Sequence, residues 1–381
     1  MEVETAAQTQ PREQQQLTSA AGADVAAKPL HRNPRLVLSF ILMVVGWACA
    51  PLLLRDYFVH GGNRKWLSSL LQTAGWPILI PPLIASYFSR RRRSTTTTPV
   101  FLMSIRLGAA CVVLGITVGL DNYLYAYGMA SLPVSTSSIL MATQLAFTAG
   151  FALLLVRQRF TAFSVNAVLL LSIGAAMLGV NGGGDRPAGV TRTEYYMGFG
   201  MTLGAAALYG LILPLIELSQ AAHLARTGSA VTYTLCMEMQ LFIGSSATVF
   251  SLIGMIVNND FHVIPREAQE FGLGKTSYYA LLVGSTLMYQ LFSLGMNGAI
   301  IYGSALLGGV IMTVLIPVTE VLAVLFFHEP FTGIKGIAVA LSVWGFVSYF
   351  YGEIRTHAEQ SKKSSNIEQL DGPGDSSVHA V

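Results

Sequence analysis

Residues 105–127 read IRLGAACVVLGITVGLDNYLYAY, an apolar run whose only charged residues are Arg106 and Asp121. A helix of about 20 apolar residues is long enough to cross roughly 30 Å of hydrocarbon. The run therefore predicts a transmembrane helix. A carboxyl group inside such a helix is costly to insert and usually faces a cavity or a partner, so Asp121 is a candidate functional residue.

Apolar runs of this kind recur along nearly the whole chain. Of its 381 residues, 52% are hydrophobic and 11% are charged, whereas about 25% of a soluble protein is charged. The pattern predicts an all-α integral membrane protein of about ten transmembrane helices. The spans fall at roughly 35–54, 68–88, 105–127, 134–156, 162–180, 196–216, 231–257, 278–297, 302–326 and 333–352.

The polar ends of the chain define its organisation. Residues 1–33 and 355–381 are predicted to be disordered cytosolic tails, and residues 34–354 to be the membrane domain, with halves at about 35–181 and 196–352. Counted over alternate loops, 15 of the Lys and Arg residues lie on the side of the N-terminus and 8 on the other side. Positive charge marks the cytosolic face, so both termini are predicted to be cytosolic.

A short internal repeat relates the two halves. Gly128-Met129 is echoed by Gly295-Met296, and Phe160-Thr161 by Phe331-Thr332. The order of these matches maps spans 3–5 onto spans 8–10. Because this offset of five spans is odd, the halves are predicted to be inverted five-helix repeats, a design that recurs among transporters.

Three carboxylates lie inside predicted spans: Asp121, Glu238 and Glu320. A desolvated carboxyl group binds a proton more readily, which is what coupling to a proton gradient requires. Glu320 follows Pro317 by one helical turn, so Glu320 and Asp121 are the predicted proton-coupling residues. The alternative for each carboxylate is a structural hydrogen bond between helices, and both interpretations stay open here.

Amide and aromatic side chains are also frequent within the spans. A flat heterocycle needs stacking faces and paired donors and acceptors, which these side chains provide. The alternative for any one of them is contact between helices. The set comprises Gln72, Trp76, Asn122, Tyr123, Tyr127, Gln144, Tyr209, Gln240, Tyr289 and Gln290.

Other classes of protein fit less well. The run Arg90–Arg93 is a cytosolic topology signal more simply than a nucleic-acid or lipid site. An intramembrane enzyme would need a nucleophile–base pair or a metal-binding motif such as His-Glu-x-x-His, and the chain contains neither. The sequence therefore predicts a transporter without a metal or cofactor, whose partners are a small molecule and the bilayer. A nucleotide-sugar or metabolite exchanger is the nearer alternative, but Arg106 is the only span-associated Arg available to hold a phosphate.

Several blocks of sequence resemble the plant purine permeases, a family within the drug/metabolite transporter superfamily. The resemblance covers about residues 35–352. It is carried by Pro51-Leu52-Leu53-Leu54-Arg55, His60-Gly61-Gly62, Arg64, Lys65-Trp66-Leu67-Ser68, Leu71-Gln72-Thr73-Ala74-Gly75-Trp76-Pro77, Asp121-Asn122-Tyr123-Leu124-Tyr125, Leu132-Pro133-Val134-Ser135-Thr136-Ser137-Ser138, Ala142-Thr143-Gln144-Leu145-Ala146-Phe147, Glu238-Met239-Gln240 and Phe326-Phe327-His328-Glu329.

The resemblance implies a ten-helix, proton-driven importer of purine bases and related heterocycles such as adenine and cytokinins, usually at the plasma membrane and sometimes at an internal one. On the scaffold of that superfamily, it implies substrate contacts from spans around a central cavity, with Trp76 and Glu238 near its periphery or a gate. The implied substrate-binding residues are Trp76, Asn122, Tyr127, Gln144, Tyr209, Glu238 and Gln290.

Overall fold

A computed structural model describes residues 34–93, 99–156, 162–180, 186–187, 189–228, 232–302, 315, 318–319, 322–328 and 331–370. All regular structure within these ranges is helical. The helices are α1 (Pro34–Val59), α2 (Lys65–Leu71), α3 (Ile80–Arg93), α4 (Ile105–Ser131), α5 (Val134–Ala142), α6 (Gln144–Val156), α7 (Ala162–Val180), α8 (Arg192–Thr227), α9 (Tyr233–Val257), α10 (Asp260–Glu270), α11 (Lys275–Tyr302) and α12 (Gly333–Leu370).

Seven helical stretches in the described part of the chain are long and apolar enough to cross a membrane. They are Pro34–Val59, Lys65–Arg92, Ile105–Ser131, Arg192–Thr227, Tyr233–Val257, Lys275–Ala299 and Gly333–Gly352. The predicted all-helical membrane protein is thus confirmed, while the count of ten stays a prediction. Predicted span 4 is divided between α5 and α6, span 5 corresponds to α7, and most of span 9 lies outside the described residues.

Two spans are broken within the described part of the membrane domain. In span 2, a 3₁₀ turn at Trp76–Leu79 separates α2 from α3, and Pro77 lies at its start. Proline has no N–H and fixes φ, so it interrupts a helical hydrogen-bond ladder. Span 4 breaks at Thr143 without a proline, and the Thr143 hydroxyl there donates to the Leu140 carbonyl at 2.6 Å. By contrast, Pro214 lies inside the unbroken α8, and Pro317 is outside the described residues.

Capping residues define both ends of the long helix α8. Thr191 and Glu194 form a reciprocal capping box at its start, and Gly228 ends it in the left-handed conformation at φ 64°. A capping box satisfies two of the backbone N–H groups that a helix start leaves free. Glycine adopts positive φ without the steric cost that a Cβ brings.

Helix pairs connect the two halves of the chain. Helix α1 packs along α11, α4 against both α8 and α9, and α7 against α12. Glycines allow the closest approach: a Cβ on Gly46 would lie 2.7 Å from the Met288 carbonyl oxygen, and one on Gly295 would lie 2.6 Å from that of Ser39. Small residues at such interfaces let helix backbones come close enough for extensive van der Waals contact.

The last helix is longer than predicted. Helix α12 continues to Leu370, through residues 355–370 that the sequence analysis assigns to a disordered tail. This part is rich in Glu, Gln and Lys, which are good helix formers and extend a helix that the membrane domain has already nucleated. The first predicted tail, residues 1–33, and residues 371–381 lie outside the described part of the chain.

Candidate substrate-binding site

Asp121 is a carboxylate buried inside the membrane domain. It lies in α4, 3% exposed, and its Oδ1 atom has no hydrogen-bond partner among the described residues. Tyr125, one turn along α4, and Tyr209 of α8 both lie within electrostatic range of this carboxyl group. None of the ion pairs found in the described ranges involves Asp121.

Helix α11 presents further polar groups without partners. The Tyr289 hydroxyl and the Gln290 Nε2 amide are buried and have no hydrogen-bond partner in the described part of the chain. Ser285, one turn before Tyr289, has the same property. Tyr289 lies within electrostatic range of Tyr125, which connects this face of α11 to α4. Buried polar groups are nearly always hydrogen-bonded, so this face of α11 has unused hydrogen-bonding capacity among the described residues.

The break in span 2 links α4 and α11. Gln72 donates through Nε2 to the Asn122 carbonyl oxygen at 3.2 Å. Three residues later, Gly75 lies so close to α11 that a Cβ on it would be 2.6 Å from the Cβ of Gln290. The adjacent Trp76 faces α9, where a Cβ on Gly244 would be 3.1 Å from the Trp76 Cβ. The broken segment thus helps to fix the position of Gln290.

The break in span 4 places Gln144 beside α8. Gln144 is the first residue of α6, and its carbonyl oxygen accepts a hydrogen bond from the Thr148 hydroxyl at 2.8 Å. A Cβ on Gly210 would lie 3.0 Å from that same oxygen. Because Tyr209 directly precedes Gly210, Gln144 and Tyr209 belong to one helix crossing.

We call Asp121, Tyr125, Tyr209, Tyr289 and Gln290 the central cluster. Its residues come from three helices, α4, α8 and α11. Asn122 follows Asp121 in α4, and Gln144 lies where α6 crosses α8 next to Tyr209. The carboxyl group can accept hydrogen bonds or carry a proton, the amide can donate and accept, and the phenol rings can stack on a flat molecule. No group of three or more His, Cys, Asp or Glu residues in the described ranges is placed to hold a metal ion.

Glu238 is not part of the central cluster. Its Oε2 atom accepts hydrogen bonds from the backbone N–H groups of Leu102 at 2.8 Å and Met103 at 3.0 Å. Its Oε1 atom lies 3.9 Å from Nη2 of Arg90. We call this arrangement the Glu238 clamp, because it ties α9 to the segment before α4 and to the end of α3. A carboxylate occupied in this way has little capacity left for a ligand.

Tyr127 also lies apart, at the end of α4 nearest α2. The Lys65 ammonium group lies over its ring, 3.9 Å from the centroid, and Trp66 stacks on Tyr123 at 4.1 Å. One face of Tyr127 is therefore covered by a cation–π contact. Glu320, the other predicted proton carrier, lies outside the described residues.

A connected set of charged and phenolic side chains joins α10 to the corner between α1 and α2. Arg64 lies 3.4 Å from Asp260 and 3.4 Å from Glu267, and the hydroxyl groups of Tyr57 and Tyr278 both donate to Glu267. We call these five residues the outer polar cluster. Its carboxylates are 0% and 8% exposed, so their burial is offset by several charge-assisted hydrogen bonds.

Some important residues escape the sequence analysis. Tyr125 is absent from the predicted set, although its spacing of four from Asp121 puts both on one helix face. Arg55 and Lys335 are counted there as charges flanking the spans. In the structure they are 7% and 1% exposed, and donate to the Met129 carbonyl at 2.6 Å and the Ser135 hydroxyl at 2.7 Å.

Comparison with known proteins adds independent information. Residues 34–359 match a family described as purine nucleobase transmembrane transport. Purine permease 3 of Arabidopsis thaliana is 44% identical over 340 residues, covering 88% of this chain and 96% of that protein. Purine permease 2 of the same plant is 43% identical over 348 residues, with the same coverage of 88% and 96%. Purine permease 21 is 34% identical over 95% of this chain and 92% of its own length.

Proposed function

We propose that this chain, which belongs to the family of purine nucleobase transmembrane transporters, imports purine bases and purine-like heterocycles together with protons. Adenine and cytokinins are among the proposed substrates. The chain is a multi-pass membrane transporter and not an enzyme. Direction, proton coupling and the binding residues are the parts that we propose.

The observation that carries the proposal is the concentration of unpartnered polar atoms in the central cluster. Within the described part of the chain, the Asp121 carboxyl oxygen, the Tyr289 hydroxyl and the Gln290 amide are buried without a hydrogen-bond partner. A purine base offers ring nitrogens and amino or oxo groups that can supply these missing bonds. Tyr125 and Tyr209 add aromatic surface beside the carboxyl group, which suits a planar ring.

The proposed proton carrier is Asp121. A buried carboxyl group without a paired cation is more stable when neutral. In the proposed cycle, Asp121 takes a proton from the outside, and the substrate binds to the neutral cluster. After the site opens to the cytosol, the substrate leaves and the proton follows, so that one charge enters with each neutral substrate. Glu320 is the second predicted proton carrier, and the same assay tests it.

Substrate recognition is assigned to the amides around the cluster. Gln290 can present both a donor and an acceptor to a heterocycle edge, as an amide does for adenine. Asn122 follows Asp121 in α4, and Gln144 lies at the crossing of α6 with α8. Gly75 supports this assignment, because its lack of a side chain leaves room for the Gln290 stem.

The packing supports two inverted repeats of five spans. An offset of five spans exchanges the pair α1–α11 with the pair α8–α4, and both pairs pack closely. The same offset relates α2 to α9 and α7 to α12, and these pairs also pack together. Such a repeat places a central site at the interface between its two copies. The proposed membrane is the plasma membrane, with both termini in the cytosol. In that orientation the outer polar cluster faces the outside of the cell, and the Glu238 clamp faces the cytosol.

The test is uptake of radiolabelled adenine by yeast cells that lack their own purine transporters. We expect faster uptake from acidic medium, loss of uptake with a protonophore, and loss of both properties in Asp121→Asn at equal surface abundance. If neither outside pH nor the protonophore changes the rate of wild-type uptake, proton coupling is refuted. An Asp121→Asn variant that keeps full acid-stimulated uptake would remove Asp121 from the mechanism, and Glu320→Gln would then be compared.

A further inference from the structure

Helix α3 has two chemically different faces. On one face, the Ser86 hydroxyl lies 3.2 Å from that of Thr234, and Arg90 lies 3.9 Å from Glu238. These residues are four apart and direct this face toward α9. The other face therefore points away from the helix bundle.

The outward face of α3 lines an open cleft of about 540 Å³. Its lining residues follow the helical spacing i, i+3, i+4 and i+7, and are Ala85, Phe88, Ser89 and Arg92. Phe88 is 53% exposed, and Ser89 and Arg92 are also exposed. In the ranges that the structure describes, Arg91 and Arg92 take part in no ion pair, unlike Arg90. Arg90 is thus a structural residue, whereas Arg91 and Arg92 are exposed.

The lining residues form a gradient from apolar to basic toward the end of the helix. Ala85 and Phe88 come first along α3, and Ser89 and Arg92 follow at its polar end. A guanidinium group binds phosphate oxygens through charge-assisted hydrogen bonds, and a serine hydroxyl can donate another. Phe88 can cover an acyl chain beside them, because it projects from the apolar part of the same face.

We propose that this cleft binds an anionic phospholipid, with the headgroup phosphate on Arg92 and Ser89 and the acyl chains along Phe88 and Ala85. The gradient fits a ligand that carries both a phosphate and a long apolar part, and a nucleic acid or free phosphate would leave the apolar half uncovered. Basic residues next to a transmembrane helix at the cytosolic face attract the anionic lipids of that leaflet. Because the predicted topology places Arg90–Arg93 at that face, the bound lipid belongs to the cytosolic leaflet.

The experiment uses the full chain, purified in detergent micelles with equal amounts of phosphatidylserine and phosphatidylcholine. Native mass spectrometry counts the lipids that stay bound to the wild type, Arg92→Gln and Arg226→Gln. Arg226 is a matched control, because it is also exposed, also near the end of a helix and also on the predicted cytosolic side. Size-exclusion chromatography checks that each variant is folded.

We expect the wild type to retain phosphatidylserine in preference to phosphatidylcholine, and Arg92→Gln to lower this adduct about five-fold. Arg226→Gln should leave the adduct unchanged. Should Arg92→Gln fail to fold, Ser89→Ala is the test, with an expected loss of about two-fold. Equal retention of both lipids by the wild type would overturn the proposal. So would an equal loss in the Arg226 variant, or displacement of the lipid by inorganic phosphate at a matching concentration. The readout involves no transport, so it is independent of the proposed function.

Discussion

The central cluster and the Glu238 clamp each contain a carboxylate buried inside a membrane helix, at 3% exposure for Asp121 and 1% for Glu238. They differ in their partners. Glu238 accepts two backbone N–H bonds and faces Arg90, whereas Oδ1 of Asp121 has no partner among the described residues. Burial alone therefore does not distinguish these two carboxylates, whereas the hydrogen bonds around them do. This difference is the basis for proposing a functional role for Asp121 and a structural one for Glu238.

The largest effect is expected from Asp121→Asn, which keeps the size of the side chain but removes its ability to carry a proton. We expect acid-stimulated adenine uptake to fall at least about ten-fold, equivalent to roughly 1.4 kcal/mol, with surface abundance unchanged. The measurement is initial uptake against outside pH, normalised to surface protein. Glu238→Gln in the same assay should keep the acid stimulation, and the reverse pattern in the two variants would break the comparison.

Gln290→Ala should come next, because it removes the amide assigned to the substrate while leaving Asp121 in place. We expect a roughly ten-fold higher KM for adenine, since truncating one hydrogen-bonding group of a buried site costs about 1–3 kcal/mol. Gln144→Ala should show a loss of the same kind. Full uptake with unchanged KM in both variants would remove these amides from the proposed site.

Gly75→Ala tests the same position indirectly. The new methyl group would press on the Gln290 stem, and overpacking of this kind costs about 1–3 kcal/mol. We expect a higher KM and a lower unfolding temperature in detergent. Gly150→Ala is the matched control, because a Cβ there meets no atom within 4 Å; an equal effect in both variants would argue against a specific contact with Gln290.

Glu238→Gln should affect stability more than transport. In one orientation, the new amide would point its NH₂ group at the backbone N–H groups of Leu102 and Met103. In the other orientation its oxygen could accept both hydrogen bonds, but without the negative charge that strengthens them in the wild type. We expect about 1–3 kcal/mol lower stability, seen as a lower unfolding temperature, with KM for adenine unchanged. A raised KM at normal stability would return Glu238 to the substrate site.

The smallest effect is expected from Arg266→Gln on α10. The Arg266 guanidinium group pairs with Glu270 at 2.9 Å, and this hydrogen bond raises the pKa of Arg266 above its usual value. Both side chains are well exposed, and exposed ion pairs add little to stability. Uptake and unfolding temperature should both stay at wild-type values, whereas Arg64→Gln, inside the outer polar cluster, should lower the unfolding temperature.

The membrane helices could be predicted from the sequence because apolar length is a local property. Asp121 could be identified for the same reason, as a charge inside an apolar run. Its difference from Glu238 could not, because the partners of Glu238 in the clamp are 136 and 135 residues away in sequence. The break at Thr143 also has no local marker, whereas Pro77 marks the break in span 2.

The grouping of the site residues was the hardest part to predict. Tyr125 shares a helix face with Asp121, but Tyr209 reaches Asp121 only through the packing of α8 on α4, and Tyr289 reaches Tyr125 only from α11. Sequence pattern gave residue types suited to a heterocycle, but placed Tyr127 and Glu238 in the same set. Both have partners of their own in the structure, Lys65 for Tyr127 and the segment before α4 for Glu238.

The glycine contacts between α1 and α11 bear on how the molecule can move. At Gly46 and Gly295 the backbones of the two helices meet almost directly, with no layer of flexible side chains between them that could rearrange. Separating the two helices would lose the van der Waals contacts of a close-packed interface, and no new contacts would replace them. We therefore expect α1 and α11 to move together as one rigid unit. The openings through which substrate enters and leaves should then form at other helix–helix interfaces of the bundle.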